Sequence, residues 1–270
     1  MAHTPNLPAY FARIGCTLAR TPTLAALQAL CEHHLRAIPF DGLNPFLGLG
    51  VDLDPLAIQH KLLHANRGGY CHEQNSLFHD VLAALDFRVT ALGARVVYTN
   101  PGAAAPMTHR FTLVDLPEGR FLADVGFGGN SPTAPLRLHP GLVQSTPHGT
   151  FRIMRHGDGY GLELQTGTDW TPMYLFTLAP PDPVDFEVAN WYTATHPRSP
   201  FTQNLVVCRV IGASRVNLRS TDLITRPPDG RAEHRALRSS DELREVLEEV
   251  MGLTLPVPVE RIWKKLAPIA

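Results

Sequence analysis

The spacing of apolar residues changes its period at about Phe87, and this change constrains the fold more than any other feature of the chain. Before that point apolar residues recur at helical intervals, for example between Leu77 and Leu85. After it they lie in short strand-like runs such as Phe111–Leu116 and Phe121–Val125, which turn residues separate. We therefore expect a helical part first and an antiparallel sheet or barrel after it.

Breaks in this pattern place the remaining boundaries. Residues 23–38 form an apolar helical pattern with Thr21 or Thr23 as its cap, and Pro39 ends it. Residues 40–45 are typical of a loop, and Asp54-Pro55 starts a second helix. Residues 179–183 hold three prolines and mark the end of the sheet region, because proline cannot donate to a ladder.

The last part of the chain contains a mixed connector followed by two strands and a helix. Residues 185–199 form the connector, and residues 205–211 and 215–218 have the composition of strands. Ser239 or Ser240 caps a helix that Gly252 ends.

One cysteine stands at a position suited to chemistry. Cys71 follows the glycines Gly68 and Gly69 at the predicted start of a helix. Unpaired backbone N–H groups and the helix dipole favour an anion there, so a thiolate nucleophile is expected. The glycines allow a backbone that residues with side chains avoid, and they let a substrate come close.

A thiolate nucleophile needs a base, and the base needs a group that orients it. His109 opens one predicted strand and Asp124 lies near the end of the next, so a hairpin would bring them together. The alternatives are a surface or core histidine and a structural ion pair of Asp124. Residues 126–129, Gly-Phe-Gly-Gly, lack the lysine of a P-loop and are either a backbone anion site or a plain turn.

Composition excludes several other classes. The chain has 270 residues, 44% of them hydrophobic and 18% charged, and a net charge of -1, so no overall field recruits nucleic acid or an anionic membrane. There is no apolar run of spanning length and no leader pattern at the start, which predicts a cytoplasmic protein. The four cysteines are too scattered for a disulfide framework and are expected to be reduced, with Cys16, Cys31 and Cys208 inert. His72, Glu73 and His79 lack the spacing of a metal site, so no metal is expected.

Several motifs, in order along the chain, resemble those of the arylamine N-acetyltransferases. Residues 67–75 (RGGYCHEQN) resemble the nucleophile motif, residues 108–110 (THR) the histidine motif, and residues 124–129 (DVGFGG) the aspartate motif. Residues 37–40, 132–138, 146–149 and 190–201 continue the likeness, which covers nearly the whole chain.

This resemblance implies an α+β fold with a cysteine-protease-like catalytic core. Its segments would be a helical domain that carries the nucleophile (1–86), a central antiparallel β-barrel domain that carries the histidine and aspartate (87–184), a connector (185–204) and a C-terminal α/β lid (205–270).

It also implies a ping-pong transfer of an acetyl group from acetyl-CoA to the nitrogen of an arylamine, hydrazine or N-hydroxyarylamine. Cys71, His109 and Asp124 match the family's catalytic triad. The resemblance assigns the acceptor pocket and the coenzyme contacts to six positions: Phe40, Phe127 and Phe201 for the pocket, and Thr108, Gly128 and Gly129 for acetyl-CoA, which is a co-substrate and not a permanently bound cofactor.

The sequence departs from the family at His72, often another aromatic residue there, and at residues 41–43, Asp-Gly-Leu. Both departures lie near the pocket and bear on acceptor preference. Two other functions stay open at this point. The same three residues serve cysteine peptidases and transglutaminase-like enzymes, and a non-catalytic binding module could retain the pocket.

Overall fold

The computed structural model describes residues 4–17, 21–98, 100–102, 104–228 and 231–266. The first third of the chain consists of helices, with one very short strand between the second and the third helix. They are α1 (Leu7–Ile14), α2 (Leu24–Ala37), β1 (Phe40–Asp41), α3 (Leu43–Leu47), α4 (Pro55–Gln59, continued by a π-helical turn at His60–His64) and α5 (Cys71–Ala84).

Local sequence explains where these helices begin. Thr23 accepts a hydrogen bond from the backbone N–H of Ala26, and Asp54 caps the helix that opens with Pro55, as the sequence predicts. The predicted helix around Leu77 begins at Cys71 itself, so the cysteine occupies the first turn.

The middle of the chain forms an eight-stranded antiparallel sheet within the described residues, in the order β5-β4-β3-β2-β9-β8-β7-β6. Its strands are β2 (Arg88–Val96), β3 (Met107–Leu116), β4 (Gly119–Ala123), β5 (Leu136–Arg137), β6 (Val143–Thr146), β7 (Gly149–His156), β8 (Gly159–Thr166) and β9 (Asp169–Phe176).

This sheet curls into a nearly closed barrel. The side chain of Gln144 on β6 accepts from the backbone N–H of Arg137 on β5 at 2.7 Å and donates to its carbonyl at 3.0 Å. An amide side chain thus joins the two edge strands. The barrel interior is filled by aromatic and aliphatic residues, among them Phe111, Phe151 and Tyr174.

The last third of the chain holds two helices and then a smaller sheet covered by further helices. The elements are α6 (Pro183–Thr195), α7 (Pro200–Gln203), β10 (Val206–Ile211), β11 (Ser214–Arg219), β12 (Asp222–Arg226), β13 (Glu233–Ala236), α8 (Ser240–Arg244, continued by a π-helical turn at Glu245–Val250) and α9 (Val259–Leu266).

The strand β1 belongs to this second sheet, although it lies far away along the chain. Phe40 pairs with Cys208 and Asp41 with Val207, which gives the order β1-β10-β11-β12-β13. The prediction of a loop over residues 40–45 was therefore wrong: residues 40 and 41 are a strand and α3 follows at once. Two residues are too few to show the apolar–polar alternation that indicates a strand. Only the hydrogen-bonded pairing with β10 makes these residues a strand.

The predicted α+β class, with helices before an antiparallel barrel, is confirmed. The connector predicted for residues 185–204 consists largely of α6 and α7. The division into domains stays a prediction, and its ends at residues 1–3 and 267–270 lie outside the described residues. No helix in the described ranges is long and apolar enough to cross a membrane.

Candidate active site

The first turn of α5 is fixed by a buried glutamate. Glu73 accepts a hydrogen bond from the backbone N–H of Tyr70 at 3.1 Å, and its other oxygen binds Lys61 at 2.6 Å. The carboxylate therefore satisfies a backbone donor that every helix start leaves unpaired. It also sets the angle at which the chain enters α5, and so the position of Cys71.

The two glycines before Cys71 are required by close packing. A Cβ atom on Gly68 would lie 2.1 Å from the carbonyl oxygen of Pro39, and one on Gly69 would lie 2.8 Å from the Cβ of Glu73. Gly69 also forms a parallel bridge with Phe40. The glycines thus let this loop pack against β1.

A buried ion pair holds the same loop from the other side. Arg67 donates two hydrogen bonds to one oxygen of Asp41, at 3.0 and 2.8 Å, and a third to the amide oxygen of Asn44. The second oxygen of Asp41 accepts the backbone N–H of Leu43. Asp41 is fully buried and Arg67 nearly so.

Cys71, His109 and Asp124 meet where α5 reaches the barrel. The imidazole Nε2 of His109 lies 2.7 Å from Oδ2 of Asp124, and Cys71 lies close enough to the same imidazole to raise its pKa. The sulfur also lies 3.6 Å from the carbonyl oxygen of Thr108. All three side chains are at least 96% buried, so water does not compete for these contacts.

The charges in this group reinforce one another. Burial alone would lower the pKa of His109, but the Asp124 carboxylate and then Cys71 raise it to about 10. Burial would likewise raise the pKa of Asp124, yet His109, Asn75 and the backbone N–H of Gly126 together lower it. The stable state at neutral pH is therefore an imidazolium beside a carboxylate.

The predicted pocket residues lie on two sides of this group. The Phe40 ring lies 5.7 Å from that of Phe201, which contacts Tyr70 at 5.9 Å. The Phe127 ring meets His109 edge-on at 5.3 Å. Aromatic surface therefore flanks the imidazole and the start of α5.

The residues predicted to contact acetyl-CoA lie nearby but in different surroundings. Gly128 has a φ of 90° and packs against the Phe40 ring. Gly129 lies against Asn217, and its carbonyl accepts from the buried Arg215 of β11. Only Thr108 brings an atom to the sulfur, through its backbone carbonyl. The roles of all nine predicted site residues stay predictions.

Sequence reasoning missed three side chains around this group. Asn75 contacts Asp124, Tyr174 packs its ring 5.1 Å from that of His109, and Arg110 lies 4.6 Å above the Phe186 ring. The place of Asn75 could have been predicted from the sequence, because it lies four residues after Cys71 and therefore on the same face of the helix. Arg110 directly follows His109 in the histidine motif, which was an indication of its place. Tyr174 carried none, since only the barrel register brings it here.

His72, the departure noted in the sequence, lies in aromatic packing next to the nucleophile. It is fully buried, and among the described residues neither ring nitrogen makes a hydrogen bond of good geometry. Burial, followed by the charges of His109 and Arg110, lowers its pKa to about 3. His72 is therefore neutral at physiological pH and packs between Tyr70 and Phe186.

Comparison with known proteins agrees with this geometry. A family model described as N-acetyltransferase matches residues 23–259. An arylamine N-acetyltransferase of Mycolicibacterium smegmatis is 40% identical over 255 residues, which are 93% of this chain and 92% of that protein. The chain belongs to the arylamine N-acetyltransferase family.

Two further relatives extend this comparison within the arylamine N-acetyltransferases. An arylamine N-acetyltransferase / N-hydroxyarylamine O-acetyltransferase of Salmonella typhimurium is 41% identical over 76% of this chain and 73% of its own. The structure of Mycobacterium marinum arylamine N-acetyltransferase in complex with CoA matches with a TM-score of 0.93 at 35% identity, over 97% of this chain and 98% of that one. The predicted family is confirmed over almost the whole fold.

In the part of the chain that the structure describes, no three His, Cys, Asp or Glu side chains are grouped as a metal site. All four cysteines are free and buried. Burial raises the pKa of Cys208 to about 12 and raises that of Cys31 further. These two thiols are therefore poor nucleophiles at neutral pH.

Proposed function

We propose that this enzyme transfers the acetyl group of acetyl-CoA to the nitrogen of an arylamine in two steps, through an acetyl group carried by Cys71. The observation that supports the proposal is the buried group of Cys71, His109 and Asp124 at the start of α5, in which Asp124 binds His109 and Cys71 lies near the same imidazole. Membership of the arylamine N-acetyltransferase family supports the same reaction.

The first step starts from an ion pair, because His109 already holds the proton of the Cys71 thiol and faces a thiolate. Its Nε2 is engaged by Asp124, so the other ring nitrogen, Nδ1, is the one available to the sulfur. The thiolate attacks the thioester carbonyl of acetyl-CoA. The bond to the coenzyme sulfur breaks, His109 returns the proton to that sulfur, and CoA leaves with Cys71 acetylated.

In the second step, a neutral aromatic amine attacks the carbonyl of acetyl-Cys71. His109 collects the proton from the nitrogen as the new C–N bond forms, and the Cys71 thiolate leaves. A thioester exchange followed by amide formation divides one difficult transfer into two accessible steps. Hydrazines and N-hydroxyarylamines also carry a nucleophilic nitrogen and are proposed as further acceptors.

Both steps place negative charge on the carbonyl oxygen. The backbone N–H of Cys71, at the first helical position of α5, is suited to stabilise it, because no carbonyl within the helix can pair with that group. One such donor typically contributes about 3 kcal/mol to the transition state.

The pocket and coenzyme assignments are part of this proposal. Phe40, Phe127 and Phe201 supply aromatic surface for the ring of the acceptor. We assign Thr108, Gly128 and Gly129 to the acetyl-CoA side, supported by the contact of the Thr108 carbonyl with the sulfur and by the packing of Gly128 against Phe40.

We also place the enzyme in the cytoplasm. A thiol nucleophile must stay reduced, and the cytosol keeps thiols reduced whereas secretory compartments oxidise them. The four free cysteines suit that environment.

One mass measurement tests the covalent scheme. The protein is mixed with acetyl-CoA in the absence of acceptor, and intact mass with peptide mapping should find one acetyl group on Cys71. An arylamine added afterwards should remove it. Acetylation of the arylamine without any adduct on the protein would contradict the scheme.

A further inference from the structure

Asn75 lies one helical turn after Cys71 and faces the same group of side chains. It is fully buried. Residues four apart on a helix lie on one face, so the side chain that carries the nucleophile and the amide of Asn75 point toward the same strands.

The amide of Asn75 is completely engaged by three partners. Its Nδ2 donates to Oδ1 of Asp124 at 3.0 Å and to the backbone carbonyl of Arg110 at 2.6 Å, and its Oδ1 accepts the backbone N–H of Val125 at 3.0 Å. These partners belong to β3 and to the segment after β4. One side chain of the nucleophile helix therefore binds the backbone next to His109 and the backbone next to Asp124.

These contacts determine which oxygen of Asp124 faces the histidine. Oδ1 accepts from Asn75 and from the backbone N–H of Gly126, both at 3.0 Å. Oδ2 is left for His109. A carboxylate can rotate about its terminal bond, and two donors on one oxygen fix that rotation.

We propose that Asn75 is a positioning residue for the acetyl transfer: it orients Asp124 toward His109 and keeps both strands in register with Cys71. This inference rests on the proposed roles of the three triad residues. Asn75 touches neither the sulfur nor the substrate, and it acts through Asp124 and the Arg110 carbonyl.

Gly126 leaves space for this arrangement. A Cβ atom there would lie 2.6 Å from Nδ2 of Asn75 and 2.9 Å from the Cα of Cys71. The segment after Asp124 can therefore approach the first turn of α5 closely enough for the amide to reach all three partners.

The chain offers a matched control in the preceding residue. Gln74 is also fully buried on α5 and also uses both ends of its amide: its Oε1 accepts from Nε2 of His34 at 2.7 Å, and its Nε2 donates to the carbonyl of Pro39 at 2.8 Å. Its partners lie on and after α2, away from the triad. Asn75 and Gln74 thus share residue class, burial and helix but differ in what they bind.

The first experiment compares Asn75→Ala with Gln74→Ala in a single turnover. The rate of acetyl-Cys71 formation is followed by rapid quenching and intact mass. We expect Asn75→Ala to lower this rate about 10- to 100-fold, because a small displacement of catalytic groups has effects of that size. Gln74→Ala should lower it less than about threefold while thermal unfolding shows a similar loss of stability in both. Equal rates in the two variants would overturn the proposal.

The second experiment uses the pH profile of Cys71 alkylation by iodoacetamide. Five titratable or charged groups face Cys71 and His109: Asp124, His72, Tyr70, Arg110 and, from β9, Tyr174. If Asp124 turns away, His109 loses the partner that raises its pKa, so less imidazolium and less thiolate exist at low pH. The profile of Asn75→Ala should move to higher pH by about half a unit or more, and that of Gln74→Ala should not move.

The nearly isosteric variant Asn75→Asp covers the case in which the alanine variant does not fold. It keeps the side-chain volume and the acceptor for Val125 but removes the donor to Asp124 and places a second carboxyl beside it. We expect the same low rate with little change in folded content by circular dichroism. A rate like that of the wild type would refute the positioning role.

These outcomes separate the two proposals. If wild-type enzyme forms no acetyl-Cys71, the proposed function fails whatever the variants do. If wild-type enzyme forms the adduct and Asn75→Asp forms it equally fast, the function stands and the inference about Asn75 fails.

Discussion

Two buried ion pairs flank the start of α5, and they differ in whether their charge can move. The pair of Arg67 and Asp41 fixes the loop that precedes Cys71. In the other pair, Asp124 fixes the imidazole of His109. Both acids are almost completely buried. The guanidinium keeps its proton under all conditions, whereas an imidazole can release it. The first pair therefore serves geometry, and the second serves both geometry and proton transfer.

The largest effect should come from Asp124→Asn. The amide keeps the shape of the side chain but removes the negative charge that raises the pKa of His109, so the imidazolium is no longer stabilised. We expect kcat/KM for an arylamine to fall about 10⁴-fold, with the fold retained by circular dichroism. Near-normal activity would mean that Asp124 has only a structural role, as Asp41 has, and that the two ion pairs do not differ in function.

Removing the fixed charge should instead affect stability. Arg67→Met leaves Asp41 buried without its partner, which is expected to lower the free energy of unfolding by about 3 to 5 kcal/mol. Urea denaturation measures this loss.

The double variant Arg67→Met with Asp41→Asn is the control, because it removes the stranded carboxylate as well. It should regain part of the stability. A loss below about 1 kcal/mol in the single variant would mean that the pair behaves like an exposed one.

A substitution at Gly126 should affect the site more than the fold. The added Cβ of Gly126→Ala would overlap the Asn75 amide and the Cys71 backbone. We expect acetylation of Cys71 to slow about tenfold or more. Gly161→Ala on β8 is the control, since its Cβ would meet only the end of the flexible Leu175 side chain at 3.1 Å. If both variants lose the same activity, the effect comes from the barrel and not from the site.

The smallest expected effect is on the pH dependence of stability, and it comes from His34, whose pKa is lowered whereas that of His109 is raised. Burial lowers the pKa of His34 to about 4, against 6.5 for the unfolded chain. Between those pH values the unfolded state binds more protons, so stability falls as the pH falls from 6.5 to 4. One such group contributes a slope of up to about 1.4 kcal/mol per pH unit.

In His34→Gln, the free energy of unfolding measured by urea denaturation should therefore fall less steeply between pH 6.5 and pH 4 than in the wild type; this range is called the acid limb. His139→Gln, at an exposed position, is the control and should leave the limb unchanged. An unchanged limb in His34→Gln would show that His34 does not stay neutral in the folded protein.

Local pattern was enough to predict much of the fold and part of the site. The caps at Thr23 and Asp54, the helix from Cys71 and the hairpin that joins β3 to β4 all depend on residues close together in sequence. The hairpin in turn brings His109 near Asp124. Motif resemblance added the assignment of these residues to one family.

What the sequence could not predict depends on distant partners. The strand β1 exists only because β10 lies beside it, 166 to 168 residues later along the chain. The strands β12 and β13 extend the same sheet beyond β11, and the sequence pattern predicts neither. The bond of Asn75 to Asp124 likewise depends on how α5 meets the barrel, which no short pattern encodes.

The pairing of β1 with β10 also has a consequence for the order of events during synthesis. Gly69, two residues before the nucleophile, rests on Phe40, and Phe40 in turn needs the strand that begins at Val206. A ribosome must therefore translate past β10 before this support for the reactive thiol can form. A nascent chain that ends before Val206 carries Cys71 without the packing that positions it for chemistry.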